Sequence, residues 1–342
     1  RSGQVLGYYG RAFLKSNKKE GNGDFSRGNL RIPRQILRQL LLDKVEGGIK
    51  WGYKFKTFTE SENGVEVQFE GKDSIQVDIL IGADGIRSLV RQKREIEDSI
   101  WTHNISELKY TGVSVILGLS SLCPLKNPLI FEKGFYMLDG KHRLFTMPFR
   151  KESQDQSLGP LTMWQLSFDV EEEFGKSLSR KPQKLILEEA LHRCKSCFEP
   201  ISSLISNTPL CEVWSTPLYD RDTMPVRPKD RGSRVVVVGD AAHPMSMFKG
   251  QGANQAIQDA PLLAKWLGKL KSGTERKSLL TSLRCFERER TARASPNVQA
   301  SREAAQGSPP ARTHARTHAR THARTHARTH ARTHARTHAR TH

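Results

Sequence analysis

Residues 234–266 read RVVVVGDAAHPMSMFKGQGANQAIQDAPLLAKW. The apolar run Val235–Val238 is typical of a strand that is buried on both faces of a parallel sheet, and Gly239 and Asp240 end it. From Gln251 onward, apolar residues recur at helical spacing. We therefore predict a buried strand, a loop and a helix, in that order.

The loop between this strand and helix is rich in glycine. It contains Gly239, Gly250 and Gly252, together with Pro244 and one acid, Asp240. Because glycine has no side chain to block an approach, such a loop can present backbone N–H groups and a helix N-terminus to a polar ligand. The alternative is an ordinary connection between a strand and a helix.

Two motifs resemble those of a known family. GDAAHPM at Gly239–Met245, followed by GQGANQAIQDA at Gly250–Ala260, resembles the second flavin-contacting motif of the FAD-dependent aromatic-ring hydroxylases. These enzymes are the para-hydroxybenzoate hydroxylase-like class A flavoprotein monooxygenases. VDILIGADGIRS at Val77–Ser88 looks like the family's strand-plus-Asp-Gly element, which lies near both the flavin and the nicotinamide nucleotide. Two long motifs in the family's order are more specific than any single glycine pattern.

The resemblance implies an α/β fold with an α+β insertion, in which a β-sheet substrate domain interrupts an incomplete Rossmann-like FAD-binding domain. The family opens with a GxGxxG turn, and no segment of this chain matches it. Gly21–Asp24 has the wrong spacing and is predicted to be a loop. Because the chain also begins with Arg1, we expect it to enter the fold after the first βαβ unit, with these domains: 1–94 partial FAD-binding domain, 95–211 substrate domain, 212–307 FAD-binding domain continued, and 308–342 low-complexity tail.

Apolar periodicity predicts further helices and strands along the chain. Asp139-Gly140 is a strong hairpin signal between two of the strands. Aromatic residues and a methionine in the middle segment are candidates for an apolar substrate pocket or, alternatively, for the core: Phe135, Tyr136, Met147, Phe149 and Trp164. The predicted helices are 31–42, 184–197 and 275–293, and the predicted strands are 65–69, 76–82, 112–119, 134–138, 143–149 and 161–168.

The resemblance assigns roles to the residues of the glycine-rich loop. Asp240 would hydrogen-bond the ribityl chain of FAD. The helix start at Gly252, Ala253 and Asn254 would approach the pyrimidine edge of the isoalloxazine, where the helix dipole stabilises negative charge on the reduced ring. Gly239 and Gly250 belong to the same motif, and His243-Pro244 would shape the substrate side of the loop.

The resemblance also places three residues outside this loop at the cofactor. Arg34 aligns best with a family arginine that reaches the flavin, although with Arg31 and Arg38 it would alternatively form a solvated helix face. Asp84 and Gly85 belong to the Asp-Gly element, where an acid can accept hydrogen bonds from ribose hydroxyls or backbone amides. Asp84 would alternatively cap a helix, and the two roles are compatible.

The activity implied by the family is hydroxylation of a small aromatic or similar organic substrate. NADPH or NADH reduces bound FAD, molecular oxygen adds at flavin C4a, and the resulting hydroperoxide transfers one oxygen atom to an electron-rich ring. No catalytic base is assigned, because members of the family differ there. Three alternatives stay open: a catalytically inactive fragment that cannot hold FAD, a related flavin reductase or epoxidase acting on isoprenoid lipids, and, last, a nucleic-acid-binding role based on the basic balance of the chain.

The composition limits the other classes of function. Eight of the 55 basic residues lie in the last 32 positions, and the remaining 47 against 36 acidic residues leave a net charge of +11, which favours anionic partners. No nucleic-acid module is recognisable, so no nucleic acid is expected.

No apolar run approaches the roughly 20 residues of a membrane span. Five cysteines without the spacing of a disulfide framework favour a reducing compartment, the cytoplasm or an organelle interior. Cys194 and Cys197 form a Cys-x-x-Cys pair with no second pair nearby, so we predict no metal site there.

The segment from Ala311 to His342 repeats Ala-Arg-Thr-His eight times without error. A tetranucleotide repeat, GCAC, read in triplets encodes this peptide, so the pattern is typical of a translated microsatellite. We predict a disordered tail. If the tail became helical, histidines four residues apart would share one face and would be able to bind a metal ion.

Overall fold

The computed structural model describes residues 32–102, 106–121, 134–150, 161–228, 232–271 and 275–306. The chain forms two compact units. Of the described residues, the first unit contains those up to Asp43 and those within Ser114–Thr216, and the second contains those within Lys44–Val113 and Pro217–Gly307. The domain boundaries derived from the sequence remain predictions, and the predicted Gly21–Asp24 loop and repeat tail lie outside the described residues.

The helices and strands follow one another in this order: α1 Arg34–Leu42, β1 Phe55–Glu60, β2 Val65–Phe69, β3 Lys72–Val77, β4 Leu80–Gly82, α2 Leu89–Thr102, β5 Lys109–Ser121, β6 Phe135–Leu138, β7 His142–Arg150, β8 Leu161–Asp169, α3 Glu172–Ser179, α4 Gln183–Cys194, α5 Ile201–Ser206, β9 Val213–Asp220, β10 Val235–Val237, α6 Gly252–Leu267 and α7 Arg276–Gln306. Strands β5 and β9 pass from one unit into the other. Short 3-10 turns occur at Leu210–Glu212, Gly239–Ala241 and Met247–Lys249.

Strand β10 is buried in the second unit. It pairs in parallel with β4, with Val236 opposite Ile81. Val235 and Val237 join one apolar cluster with Phe58, whereas Val236 joins another that includes Leu263 and Phe286. Both faces of β10 are therefore buried, which confirms the strand predicted from the valine run.

The predicted strand over 76–82 is wrong as a single element. The chain leaves β3, which pairs antiparallel with β2, and enters β4, which pairs in parallel with β10. Asp78 and Ile79 lie between the two strands. The Arg234 guanidinium donates to the Asp78 carbonyl oxygen at 3.1 Å, and the Leu80 N–H donates to the Arg234 carbonyl oxygen at 3.0 Å. These hydrogen bonds hold the chain where it passes from one sheet to the other. The alternation of apolar and polar residues continues through Asp78 and Ile79, although the strand pairing is interrupted there.

The first unit is built on a sheet with the strand order β6-β7-β8-β5-β9. The four strands predicted in this region are confirmed, with ends that differ by a few residues. The predicted hairpin is also confirmed, because β6 and β7 pair antiparallel with Leu138 opposite Arg143. In its turn the Asp139 carboxylate accepts hydrogen bonds from the N–H groups of Lys141 and His142 at 2.8 and 2.6 Å. Trp164 lies fully buried in the core, and its Nε1 donates to Thr208 Oγ1 at 2.9 Å.

The helices agree with the periodic patterns in type but differ in extent. Helix α1 is present, yet its apolar residues Ile36, Leu40 and Leu41 are more than half exposed. Helix α4 ends at Cys194, three residues before the predicted end. Helix α7 was predicted to end at Arg293 but continues to Gln306, because the buried small and apolar residues of one face continue beyond Pro296. In the described parts of the chain, no helix is both long enough and apolar enough to cross a membrane.

Gly118 on β5 packs directly against the Trp164 ring in the first unit. A Cβ atom at this position would lie 2.5 Å from two ring carbons of Trp164, closer than side chains can approach. We expect Gly118→Ala to lower the free energy of unfolding by about 1–3 kcal/mol, the usual cost of overpacking. Urea unfolding would measure the change, with Gly48→Ala as the control, because no heavy atom lies within 4 Å of that Cβ position. Equal stabilities of the two variants would contradict the prediction.

Candidate functional site

The GDAAH loop, Gly239–His243, follows directly after β10. Gly239 has a φ of +59°, a conformation that side chains disfavour, and a Cβ atom there would lie 3.3 Å from Ala256 Cβ. Within the described segment from Gly239 to Pro244, Asp240 is exposed and the other residues are buried. The loop therefore presents one carboxylate on a buried base.

Arg91, fully buried on α2, holds the carbonyl groups of the GDAAH loop. Its guanidinium donates to the carbonyl oxygens of Ala241 and Ala242 at 3.3 and 3.2 Å, and to that of Asp222 at 2.7 Å. Its Nε donates to the Glu95 carboxylate at 2.8 Å. Burial lowers the pKa of the Arg91 guanidinium, although Glu95 acts in the opposite direction. One side chain thus connects the loop to α2 and to the segment that follows β9.

Asp259 on α6 contacts both ends of the GDAAH loop. Its Oδ2 accepts a hydrogen bond from the Gly239 N–H at 2.7 Å and lies 2.8 Å from His243 Nε2. Its Oδ1 accepts a hydrogen bond from Arg293 on α7. Burial alone would raise the pKa of Asp259, but the hydrogen bonds from His243 and Gly239 outweigh burial and hold that pKa below its usual value. The carboxylate is therefore ionised at neutral pH.

The N-terminus of α6 lies beside the Asp240 carboxylate. Gly252 begins the helix, and a Cβ atom on it would lie 3.9 Å from Asp240 Oδ1. Gln251 at the cap position makes no side-chain hydrogen bond to the helix, and Ala253 and Asn254 are exposed. The first N–H groups of a helix have no partner within it, and the helix dipole is positive there. This end of α6 is therefore open to an anionic or hydrogen-bond-accepting group.

Asp84 begins the second candidate motif and caps α2. Its carboxylate accepts hydrogen bonds from Ser88 Oγ at 2.5 Å and from the N–H groups of Leu89 and Val90 at 2.8 and 3.2 Å. Gly85, with a φ of +81°, makes the turn between the acid and the helix. The cap that the sequence offered as a second role for Asp84 is therefore present, and the carboxylate stays exposed.

The two motifs meet at one edge of the parallel sheet. Val237 at the end of β10 pairs with Gly82 at the end of β4, and the Val238 N–H donates to the Gly82 carbonyl oxygen at 2.9 Å. In open α/β sheets, ligands bind beyond the carboxyl ends of the strands. Asp84 and Asp240 follow these two ends, so the sheet topology brings both predicted acids to the edge where a ligand is expected.

An open cavity of about 390 Å³ borders β4 in the same unit. Apolar side chains that include Phe55, Phe69 and Ile79 line most of it, and Asp84 is the acid in its lining. Ile81 on β4 is 44% exposed. The cavity therefore extends the candidate site from the Asp-Gly motif along an apolar surface of β4.

Two buried arginines donate hydrogen bonds to β10, the strand that precedes the GDAAH loop. The Arg94 guanidinium donates to the Val235 carbonyl oxygen at 2.9 Å and forms an ion pair with Glu287 of α7. The fully buried Arg290 donates to the Val237 carbonyl oxygen at the end of β10, and burial lowers the pKa of its guanidinium to about 10. Both guanidinium groups thus hold backbone carbonyl oxygens of β10, the strand that leads into the GDAAH loop.

The structure groups most of the residues predicted for the site, and their cofactor contacts stay predictions. Arg34 lies exposed on α1 in the first unit, and its role stays a prediction. The other nine predicted residues lie in the second unit, in the two motifs after β4 and β10: Asp84, Gly85, Gly239, Asp240, Pro244, Gly250, Gly252, Ala253 and Asn254.

Arg91 and Asp259, whose side chains hold the GDAAH loop, were not predicted from the sequence. The Arg91 N–H donates to the Oγ of Ser88, three positions earlier, at 2.9 Å, so Ser88 caps the start of α2 together with Asp84. That spacing marks a helix start but gives no sign of contacts 150 residues away. Asp259 carries one available signal, since an acid on the inner face of a predicted helix requires a partner.

Comparisons with known proteins place the chain among flavoproteins. The family described as "FAD binding domain" matches residues 32–301. The aurachin C monooxygenase/isomerase of Stigmatella aurantiaca is 28% identical over 240 residues, which are 68% of this chain and 53% of that protein. The chloroplastic zeaxanthin epoxidase of an Oncidium hybrid cultivar is 27% identical over 279 residues, which are 80% of this chain and 38% of that protein. The chain thus spans about half or less of these relatives.

A solved structure shows the same fold. The structure of a salicylate hydroxylase substrate complex superimposes with a TM-score of 0.62 at 24% identity, over 80% of this chain and 65% of that chain. The predicted α/β fold with an inserted sheet, in the manner of the para-hydroxybenzoate hydroxylase-like proteins, is thereby confirmed. At this level of identity the similarity concerns the fold alone.

Proposed function

The chain belongs to the family of FAD binding domain proteins, and from that membership we propose that it is the flavin-contacting part of an FAD-dependent, NAD(P)H-using monooxygenase. Its substrate would be a small aromatic or similar organic molecule, with molecular oxygen as the second substrate. One observation carries the proposal. Asp240 is the exposed carboxylate of a loop held from below by Arg91 and Asp259, and it lies beside the open N-terminus of α6.

The described residues fit the polar parts of FAD. Asp240 can accept hydrogen bonds from sugar-like hydroxyls such as those of the ribityl chain, and nothing larger than hydrogen at Gly252 blocks the approach. The N–H groups at the start of α6 can donate to carbonyl oxygens, and the helix dipole favours negative charge there. This arrangement matches a flavin ring that gains negative charge when it is reduced.

In the proposed site each residue has a distinct task. Asp240 binds the ribityl hydroxyls, and the helix start at Gly252, Ala253 and Asn254 binds the pyrimidine edge of the ring. Pro244 shapes the substrate side. Bound FAD would supply the chemistry with molecular oxygen, while the protein would bind and orient the cofactor and substrate and keep water out of the site.

Three further residues, outside the GDAAH loop and the start of α6, would also contact the cofactor or the nucleotide. Asp84 and Gly85 lie at the neighbouring strand end and would contact the flavin or the nicotinamide nucleotide. Arg34 would reach the flavin from α1. The geometry of the site gives no reason to name a catalytic base.

The first experiment is an absorbance spectrum of the purified protein after incubation with FAD and gel filtration. We expect bands near roughly 450 nm to stay with the protein, since this absorbance belongs to the cofactor itself. NAD(P)H oxidation and oxygen uptake would then be measured with a panel of phenols. A colourless protein would overturn the proposal and favour the alternative that this chain does not hold FAD.

We expect Asp240→Ala to weaken FAD binding at least about tenfold, because a hydrogen bond to a charged group contributes roughly 1.5–3 kcal/mol. Stability should change little, since the side chain is exposed. The dissociation constant would be measured by titration of flavin fluorescence. Asp73→Ala, which removes an exposed acid from β3, is the matched control for net charge. Equal affinities of the two variants would disprove the role of Asp240.

A second candidate function is epoxidation or reduction of an isoprenoid lipid. The similarity to a zeaxanthin epoxidase over 80% of this chain favours it, and the apolar cavity along β4 is compatible with it. Both reactions would use the same flavin contacts, so the substrate panel separates them. NAD(P)H oxidation stimulated by polyenes rather than phenols, with a product heavier by one oxygen atom, would select the epoxidase.

A further inference from the structure

Asp259 connects the two ends of the GDAAH loop through one oxygen atom. Oδ2 lies 2.7 Å from the Gly239 nitrogen and 2.8 Å from His243 Nε2, and these residues are the first and last of the loop. The Asp259 and His243 side chains are both completely buried. Water therefore does not compete for these two hydrogen bonds.

The ionised state of Asp259 determines the tautomer of His243. An ionised carboxylate can only accept hydrogen bonds, so the proton at their contact belongs to His243 Nε2. His243 Nδ1 is buried and has no hydrogen-bond partner among the described residues. The ring is therefore held by a single hydrogen bond, and Asp259 sets both its tautomer and its orientation.

Arg91 and Asp259 act on opposite polar groups of the same loop. Arg91 donates to the carbonyl oxygens of Ala241 and Ala242, whereas Asp259 accepts from the Gly239 N–H and from the His243 ring. Asp240, between these contacts, is left exposed. Gly239 stays at a φ of +59°, a conformation that glycine leaves easily unless it is held.

We infer that Asp259 is a positioning residue: through Gly239 and His243 it fixes the GDAAH loop in the conformation that directs Asp240 toward the cofactor. The inference rests on the proposed function for its link to FAD. The clamp itself is a property of this chain and can be measured without any cofactor.

The test is Asp259→Asn. The Arg293 guanidinium can only donate, so the asparagine oxygen that pairs with it leaves the NH2 group facing the Gly239 N–H and His243 Nε2, and an NH2 group cannot accept from either. We expect amide hydrogen exchange in peptides spanning 236–245 to become roughly tenfold faster or more, since a hydrogen bond to a charged group is lost. The ¹⁵N shifts of His243 should move away from the Nε2–H pattern, and FAD should bind at least about tenfold more weakly.

Arg293→Gln is the matched control. It removes the bonds of Arg293 to Asp259 and Gln255, and it leaves those of Gly239 and His243 in place. We expect this variant to lose stability while exchange in the loop and the His243 tautomer stay as in the unchanged protein. If both variants accelerated loop exchange equally, the role of Asp259 would reduce to packing between α6 and α7, and the inference would be overturned.

Two further outcomes separate this inference from the proposed function. If Asp259→Asn does not fold, the unchanged protein still decides, because rapid exchange at Gly239 or an Nδ1–H tautomer of His243 would overturn the clamp. If the exchange and tautomer results hold but the unchanged protein binds no FAD, the proposed function fails, and with it the assignment of the clamp to a flavin.

Discussion

Replacement of Glu287 by alanine is expected to lower the free energy of unfolding by about 3–5 kcal/mol, the usual cost of breaking a buried ion pair from one side. Glu287 on α7 pairs with the fully buried guanidinium of Arg94 on α2. Burial by itself would lower the pKa of Arg94, yet Glu287 holds it above its usual value, so the cation depends on this carboxylate. Asp98, at 3.7 Å, is a more distant partner.

Urea unfolding followed by circular dichroism would measure the loss. The control is Glu289→Ala, which makes the same change two residues away on the same helix. Glu289 pairs with Lys265 at 3.2 Å where both side chains are exposed, so its removal should cost less than about 1 kcal/mol. The double variant Arg94→Met with Glu287→Leu should recover most of the lost stability, since it removes both charges. Similar losses for the two single variants would contradict the prediction.

The sequence predicted those parts of the fold in which local pattern and tertiary contact agree. The valine run Val235–Val237 is apolar at every position because both faces of β10 are covered. The prediction of one strand over 76–82 was wrong because the exposed acid Asp78 falls at a polar position of the alternation, as it would in a continuous strand. The hydrogen bond that marks the change of sheet at Asp78 comes from Arg234, 156 positions away. Alternation reports which face is buried and does not report the partner strand.

Helix α1 also shows that a local pattern does not identify the tertiary contact. Its 3.6-residue period correctly predicted a helix, but Ile36, Leu40 and Leu41 are exposed in the structure. Periodicity gives the conformation and the apolar face of a helix. What covers that face depends on residues elsewhere, which no local pattern contains.

At the candidate site, the motifs located the residues that face the ligand and missed those that hold them. Asp240 and Gly252 belong to two consecutive motifs, so a resemblance along the chain was sufficient to find them. Asp259 and Arg91 act on the loop through hydrogen bonds that span 16 to 151 residues, and each lies in a helix whose local pattern explains its presence without function. Geometry was therefore necessary to assign them.

Arg91→Lys is expected to lower the free energy of unfolding by roughly 3 kcal/mol or more although it conserves the charge. The guanidinium serves Glu95, Ala241, Ala242 and Asp222 from three nitrogen atoms, whereas a lysine ammonium cannot reach acceptors on several sides. The carbonyl oxygens of Ala241 and Asp222 would lose the Arg91 donor, at about 1–3 kcal/mol each, whereas Ala242 keeps the Met224 N–H and Glu95 keeps the Arg221 guanidinium.

The same change should weaken FAD binding, because the carbonyl side of the GDAAH loop would no longer be fixed. Urea unfolding and flavin titration would measure the two effects, with Arg288→Lys at an exposed position of α7 as the control, expected within about 0.5 kcal/mol of the unchanged protein. If Arg91→Lys were as stable as this control, charge rather than the fork of hydrogen bonds would hold the loop. If it lost stability but bound FAD with unchanged affinity, Arg91 would support the fold without positioning the site.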